Sequence, residues 1–138
     1  MTTAYRFSSD LADIDRDRVH TWLSEQSYWA RGRAREMQDD AIDSSRNYAV
    51  LDPEGRQVAY ARVVTDAVTF AWLCDVFVDP AERGNGVGKM LVDGVIADIE
   101  RTTVKRIMLA TADAHGLYAQ YGFAPSEDPN RYMIRSVA

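Results

Sequence analysis

The stretch VFVDPAERGNGVGKML, residues 76–91, joins an apolar strand to a periodic helix through three alternating glycines. Glycine permits positive φ and close backbone approach, and the first N–H groups of a helix have no partner inside it. Such a loop binds anions, because its N–H groups and the helix dipole favour negative charge there. Arg83 and Lys89 add positive charge, so the segment predicts a phosphate site. The alternative is a tight turn whose glycines serve packing only.

The glycine spacing argues against the common nucleotide loops. A Walker loop has four residues between its glycines and then Lys and Ser or Thr, whereas three separate Gly84 from Gly88, and Met90 stands where the hydroxyl belongs. A dinucleotide fingerprint needs glycine where Lys89 or Leu91 stands. Neither a Walker triphosphatase nor a nicotinamide or flavin site is predicted. A nucleotide-binding protein of another kind stays as a third hypothesis, which ligand screening would separate.

The composition is that of one ordinary globular domain, which we place at residues 1–138. The chain has 46% hydrophobic and 27% charged residues and a formal net charge of -5, which argues against a general nucleic-acid binder. No apolar stretch predicts a secretion signal or a membrane span. Cys74 is the single cysteine, so the reducing cytoplasm is the expected compartment. His20, His115 and Cys74 make no ligand spacing, and no metal site is predicted.

Apolar periodicity predicts the order strand, two helices, three strands, helix, strand, helix, strands. This order is typical of an α/β or α+β domain with a mixed sheet and helices on its faces. The expected strands are 5–7, 47–51, 57–65, 69–78 and 106–110, with closing strands at Phe123 and 132–135. The expected helices are 14–24, 34–45, 87–101 and one capped by Asp113 and ended by Gly122.

Two motifs together resemble those of the GNAT superfamily of acyl-CoA-dependent N-acyltransferases. Residues 83–88, RGNGVG, match the family pattern Arg or Gln, any two residues, Gly, any residue, Gly or Ala. Residues 118–123, YAQYGF, are similar to the family's downstream segment of Tyr, three residues and Gly-Phe. The resemblance covers most of the chain and suggests a small, single-domain, bacterial-type member. It implies a mixed, mostly antiparallel sheet of about six to seven strands flanked by about four helices.

The resemblance implies acetyl-CoA as cosubstrate, with no metal. Phe77 and Val78, at the end of the fourth strand, would pair with the pantetheine arm where a bulge parts that strand from the fifth. The acetyl group would pass directly to a bound primary amine, without a covalent enzyme intermediate. The pyrophosphate would lie on the backbone of the loop, formed by Arg83, Gly84, Asn85, Gly86, Val87, Gly88 and Lys89.

Tyr118 and Asp75 are the candidate catalytic residues. Tyr118 occupies the position of the family's general acid, and a phenol with a pKa of about 10 can donate a proton to a departing thiolate. The alternative for Tyr118 is a core aromatic. Asp75 lies in an apolar strand, where a carboxylate must be paired or functional. It is a candidate general base or anchor for a cationic substrate, and a structural salt bridge is the alternative.

Candidate acceptor contacts lie between the two early helices and on the last one. Tyr28, Trp29 and Arg33 could select a substrate that carries a ring or a carboxylate, or could fill core. His115 would share a helical face with Tyr118, although a surface role is an equal alternative. Thr111 stands where the family often has Asn, which changes the reach of that side chain.

The sequence thus predicts an N-acetyltransferase that acetylates a primary amine of a small molecule or an amino-acid-like acceptor. The alternative from another class is a noncatalytic acyl-CoA-binding sensor or regulatory module. No nucleic-acid or membrane partner is expected. A homodimer is an option that the resemblance allows, although no sequence feature specifies one.

Overall fold

In the computed structural model, which describes residues 4–137, five strands form one sheet in the order β1-β2-β3-β4-β5. Strands β1 to β4 are antiparallel neighbours, and β5 pairs with β4 in parallel. The mixed α/β class is therefore confirmed. The strands are β1 (Arg6–Ser8), β2 (Arg46–Leu51), β3 (Gln57–Thr65), β4 (Ala71–Val78) and β5 (Ile107–Met108); the helices are α1 (Arg16–Thr21), α2 (Arg35–Asp43), α3 (Val87–Glu100) and α4 (His115–Ala119).

Each face of the sheet packs against different helices. The α3 face is mostly aliphatic, because α3 presents apolar residues at three- and four-residue spacing to the inward residues of the strands. The opposite face carries α1, α2 and a π-helical turn at Trp22–Gln26 that continues α1. The buried residues on the α3 face include Val58, Val63, Leu73, Leu91, Val95 and Ile99; those on the other face include Val19, Trp22, Leu23, Ile42, Leu51 and Tyr60.

A glycine sets the distance between α3 and the first strand. A methyl group at Gly94 would lie 2.3 Å from two ring carbons of Phe7. Atoms cannot approach so closely, so a larger residue would push the helix or the ring aside. Gly94 therefore allows α3 to lie close against β1.

Strand β4 contains a bulge at Asp75. Tyr60 of β3 lies opposite Phe77, but Arg62 lies opposite Cys74, so two residues of β4 face one residue of β3. Asp75 has φ 53°, a left-handed conformation that Asp adopts more readily than most residues. The extra residue turns Phe77 toward Trp22, on which its ring stacks with centroids 5.4 Å apart.

The predicted sheet was too large. Among residues 4–137 the sheet has five strands, not six to seven, and neither Phe123 nor 132–135 forms a strand. The final segment lies over the surface, with Met133 94% and Ile134 93% exposed. One cause is visible: β5 offers only two paired residues, so little of its edge is available to a further strand.

Asp113 does not cap α4 as predicted, because the Thr111 hydroxyl accepts from the N–H of Ala114 at 3.0 Å and the helix begins at His115. Within residues 4–137 no helix is both long and apolar enough to cross a bilayer.

Candidate active site

A cavity of about 760 Å³ opens where β4 and β5 part. The two strands pair only at Ala71 and Trp72, so the rest of β4 has no hydrogen-bonded neighbour on that side. One wall is β4, and the other is the segment 109–114 with Tyr118. The loop between α1 and α2, which contains Tyr28, Trp29 and Arg33, closes one end of the cavity. The cavity therefore exposes the bulged half of β4 to a ligand.

Beyond the end of β4, the glycine loop forms a backbone cradle. Gly84 has φ 87° and Gly86 has φ 75°, the left-handed conformation that glycine adopts without strain. Gly86 precedes α3, and no side chain caps the helix there. In the described part of the chain, the N–H groups of Val87, Gly88 and Lys89 have no hydrogen-bond acceptor. They are free to bind an anion.

Side-chain contacts fix this loop. The Asn85 amide donates to the Tyr5 hydroxyl at 3.1 Å and to the Glu82 carboxylate at 3.3 Å. The Lys89 carbonyl accepts from the Tyr121 hydroxyl at 3.0 Å. Asn85 thus holds the loop through its side chain, while the backbone stays available.

Three of the predicted coenzyme-binding residues, Phe77, Val78 and Arg83, line the cavity, whereas 84–89 do not. The end of β4 is anchored from behind, since the Arg18 guanidinium donates to the Asp79 carboxylate at 2.6 Å.

Tyr118 is the buried phenol of the cavity wall. It is 7% exposed, and its ring meets that of Phe123 edge to face at 5.9 Å. Among residues 4–137 its hydroxyl makes no hydrogen bond. Burial, together with the nearby charge of Asp113, raises the pKa of Tyr118 to about 12. The hydroxyl is therefore a neutral donor at physiological pH.

Asp75 is enclosed by three donor residues, two from the loop between α1 and α2 and one from β3. Its carboxylate accepts from Trp29 Nε1 at 2.9 Å, from Arg33 Nη1 at 2.8 Å and from Arg62 Nε at 2.9 Å. The Asp75 side chain is 1% exposed, and those of Arg33 and Arg62 are 17% and 14% exposed. We call these four residues the Asp75 cluster.

The two arginines keep Asp75 ionised. Burial alone would raise the pKa of the carboxyl, but hydrogen bonds and charge from Arg33 and Arg62 outweigh it, and the net pKa is lowered. A carboxylate with three donors and a lowered pKa is a poor proton acceptor. The geometry therefore favours the salt-bridge alternative that the sequence left open for Asp75.

The predicted acceptor residues do not all reach the cavity. Tyr28 and Trp29 line it, with ring centroids 5.0 Å apart, and the Tyr28 hydroxyl accepts from the Ala112 N–H at 3.2 Å. His115 is exposed and is not among the lining residues. The structure thus joins Tyr28, Trp29 and Arg33 but leaves His115 outside.

Arg62 and Cys74 are among the lining residues that were not predicted from the sequence. Arg62 contacts Asp75, and a lone charge within the apolar strand β3 is a signal that could have identified it. Cys74 precedes Asp75, and burial raises the pKa of its thiol to about 11. Within residues 4–137 no group of His, Cys, Asp or Glu side chains is arranged to hold a metal ion.

A bulged strand that leads into a glycine loop and a helix, beside a cavity walled by a tyrosine, is the arrangement of the N-acyltransferase class that the sequence resembles. The comparison with known families agrees. The model of the Acetyltransferase (GNAT) family matches residues 16–123, and the chain belongs to that family.

Individual relatives support the same assignment. A GNAT-family protein from Xanthomonas campestris pv. campestris has a similar structure, with TM-score 0.92 and 42% identity over 99% of this chain and 96% of that one. Serotonin N-acetyltransferase 2, chloroplastic, from Oryza sativa subsp. japonica is 38% identical over 80 residues, 57% of this chain and 40% of that protein. Rv2747 from Mycobacterium tuberculosis, solved in complex with CoA, shares the fold with TM-score 0.73 and 17% identity over 88% of this chain and 73% of that one. The match thus spans about two fifths of the length of the plant relative.

Proposed function

We propose that this acetyltransferase-family protein transfers an acetyl group from acetyl-CoA to a primary amine of a small molecule or an amino-acid-like acceptor. The observation that carries the proposal is the continuity of the site. Bulged β4 leads directly to the unpartnered N–H groups at the start of α3, and the same cavity is walled by buried Tyr118. A protein with the same fold was solved with CoA, which supports this coenzyme as the proposed occupant.

Different groups of the chain would bind the different parts of the coenzyme. The N–H groups of Val87, Gly88 and Lys89 would hold the pyrophosphate, and Arg83 at the cavity edge would add charge. The free side of β4 at Phe77 and Val78 would pair with the pantetheine amides, because β5 does not occupy it. Acetyl-CoA supplies an activated acyl group; the protein supplies its orientation.

Tyr118 is proposed as the acid for the departing thiol. The amine nitrogen attacks the thioester carbonyl carbon, the carbon–sulfur bond breaks, and the hydroxyl donates to sulfur. A pKa of about 12 would make full proton transfer to a solvated thiolate uphill, since an ordinary thiol has a pKa near 8.5. Burial disfavours the charged form of a thiol as well, as the raised pKa of Cys74 in the same wall illustrates, so the difference between the two groups would be smaller in the cavity than in water.

Asp75 is proposed as a positioning residue. It orients Trp29, Arg33 and Arg62 within the cavity, and the proton lost by the amine passes to solvent. The single thiol Cys74 can form no internal disulfide, and we propose the cytoplasm as the compartment.

Amine-dependent release of CoA from acetyl-CoA tests this function, with mass spectrometry of the acceptor for the added acetyl group. Tyr118→Phe is expected to lower kcat by about 10²- to 10⁴-fold with little change in affinity for acetyl-CoA. Tyr132→Phe is the matched control, because that hydroxyl lies on the exposed final segment. A protein that binds acetyl-CoA but acetylates no amine would instead be the noncatalytic acyl-CoA sensor.

A further inference from the structure

The Asp75 cluster carries an excess positive charge inside an acidic protein. Two guanidiniums, Arg33 and Arg62, share one carboxylate, so the cluster keeps one net positive charge. The chain as a whole has a formal net charge of -5, so this excess is local. All three charged groups line the cavity that β4 opens. A partly desolvated positive charge of this kind attracts an anion more strongly than it would in water.

Each guanidinium also has N–H donors that contact no acceptor within the described residues. Arg62 uses Nε for Asp75 and Nη1 for the Ser45 hydroxyl at 3.0 Å. Arg33 uses Nη1 for Asp75 and for the side-chain oxygen of Gln38, and Nη2 for Asp75 at 3.4 Å. In the part of the chain that the structure describes, Arg62 Nη2 and Arg33 Nε have no acceptor. The only fully buried side-chain nitrogen or oxygen without a partner there is Gln38 Nε2, so the spare guanidinium donors reach solvent.

The scaffold holds these donors in a fixed position. The bulge places Asp75 in a left-handed conformation, a strained arrangement for a residue other than glycine, which persists only where its surroundings enforce it. Gln38 is fully buried and fixes Arg33 from α2, while Arg62 stands on the rigid strand β3. Ordered guanidinium groups are suited to a carboxylate, because their planar donors match its two oxygens.

We infer that the acceptor is an amine that also carries a carboxylate, and that Arg62 and Arg33 bind this carboxylate at the Asp75 cluster. The inference rests on the proposed function and names its substrate class. A bound anion would neutralise the excess charge of the cluster. A substrate with a second positive charge would be repelled by it. The same field favours the uncharged form of the attacking amine, which is the form that reacts.

The test compares carboxylate acceptors with their amides. The panel contains phenylalanine, leucine, serine, β-alanine and γ-aminobutyrate, each with its carboxyl group and as the corresponding primary amide, so that the spacing of amine and carboxylate is varied. CoA release gives kcat/KM for each pair. The best carboxylate acceptor is expected to exceed its amide by about 10- to 100-fold. The amine of an α-amino amide is less basic than that of the amino acid, so at the same pH a larger fraction of it is in the uncharged, reactive form. A preference for the carboxylate would therefore run against the supply of uncharged amine.

Variants of Arg62 assign the preference to the cluster. Arg62→Gln is expected to bring the carboxylate-to-amide ratio close to one, and Arg62→Lys, which keeps the charge but loses the planar donors, to give an intermediate ratio. Arg35→Gln removes an arginine that pairs with surface Asp39 and should leave the ratio unchanged. Calorimetric binding of acetyl-CoA, unaltered in each variant, would show that the fold is intact.

The possible failures are distinguishable. Turnover of amides as fast as carboxylates, or a ratio that Arg62→Gln does not alter, would overturn the substrate class and leave the acetyltransferase proposal standing. Binding of acetyl-CoA without turnover of any amine, including neutral and cationic ones, would overturn both proposals.

Discussion

Replacement of Asp75 by asparagine tests whether the carboxylate holds the two arginines together. The side chain is 1% exposed and accepts three hydrogen bonds of 2.8 to 2.9 Å, two of them from guanidiniums. Asparagine keeps the volume but removes the charge, which leaves Arg33 and Arg62 close together and unneutralised. Removal of one partner from a buried ion pair costs about 3–5 kcal/mol. We expect Asp75→Asn to lower the free energy of unfolding by about 3 kcal/mol, since its carbonyl oxygen can still accept one bond.

Urea unfolding followed by circular dichroism measures this loss. Asp39→Asn is a matched control, because Asp39 also accepts from two arginines but is 34% exposed, and pairs of that kind contribute about 0–1 kcal/mol. In the double variant Asp75→Asn/Arg62→Gln the repulsion is relieved, so the combined loss should be smaller than the sum of the single losses. A loss below about 1 kcal/mol for Asp75→Asn, or strict additivity, would refute the reasoning.

Three further predictions concern packing, reactivity and alkaline stability. Gly94→Ala should lower the free energy of unfolding, measured in urea, by about 1–2 kcal/mol, because overpacking against Phe7 exceeds the gain in helix propensity. Gly116→Ala is the control and should cost nothing, because its methyl group meets nothing within 4 Å. Equal effects of the two substitutions would contradict the packing argument. Cys74 should react slowly with Ellman's reagent in the native protein at about pH 8, because burial raises the pKa of its thiol to about 11. The reaction should be faster as the pH approaches that pKa, and faster after unfolding. An immediate reaction of the native protein would show that the fold does not protect the thiol. The free energy of unfolding should fall above about pH 10, because the pKa of Tyr118 is about 12 in the fold, whereas a tyrosine of the unfolded chain has a pKa near 10. A free energy of unfolding that does not change above pH 10 would contradict this.

Acid should remove the contribution of Asp75. Its pKa is lowered in the fold, so the stabilisation is complete above the unfolded value of about 3.9 and is lost as the pH falls below that value. The acid limb of the stability curve measures this effect. Asp75→Asn should flatten that limb, and an unchanged limb in the variant would show that other carboxyl groups dominate it.

The sequence predicted well the elements whose signal is local. The expected strand 57–65 coincides with β3, and the expected helix 87–101 differs from α3 by one residue, because both depend on apolar periodicity within the segment itself. The closing strand at 132–135 was wrong for the opposite reason. A strand needs an edge to pair with, and the length of β5 cannot be read from the residues that would join it.

The candidate site shows the same difference between features with a local sequence signal and features that depend on distant residues. The glycine loop and Tyr118 were found from short motifs, and the structure places them at the end of one strand and in the wall beside it. The environment of Asp75 was not predictable, because its partners come from the α1–α2 loop and from β3, 13 to 46 residues away in sequence. A positive φ at a residue other than glycine leaves no mark in the sequence either.

Titration calorimetry with acetyl-CoA tests the central claim, that the start of α3 holds the coenzyme, most directly. Gly86→Glu adds a side chain and a negative charge at the cradle, and Gly55→Glu is its matched control, because Gly55 also has positive φ and open space but lies in the β2–β3 turn. We predict binding by the wild-type protein and by Gly55→Glu with the same Kd, and a loss of about 100-fold or more in folded Gly86→Glu. Absence of binding by the wild-type protein, or equal binding by both variants, would contradict the account.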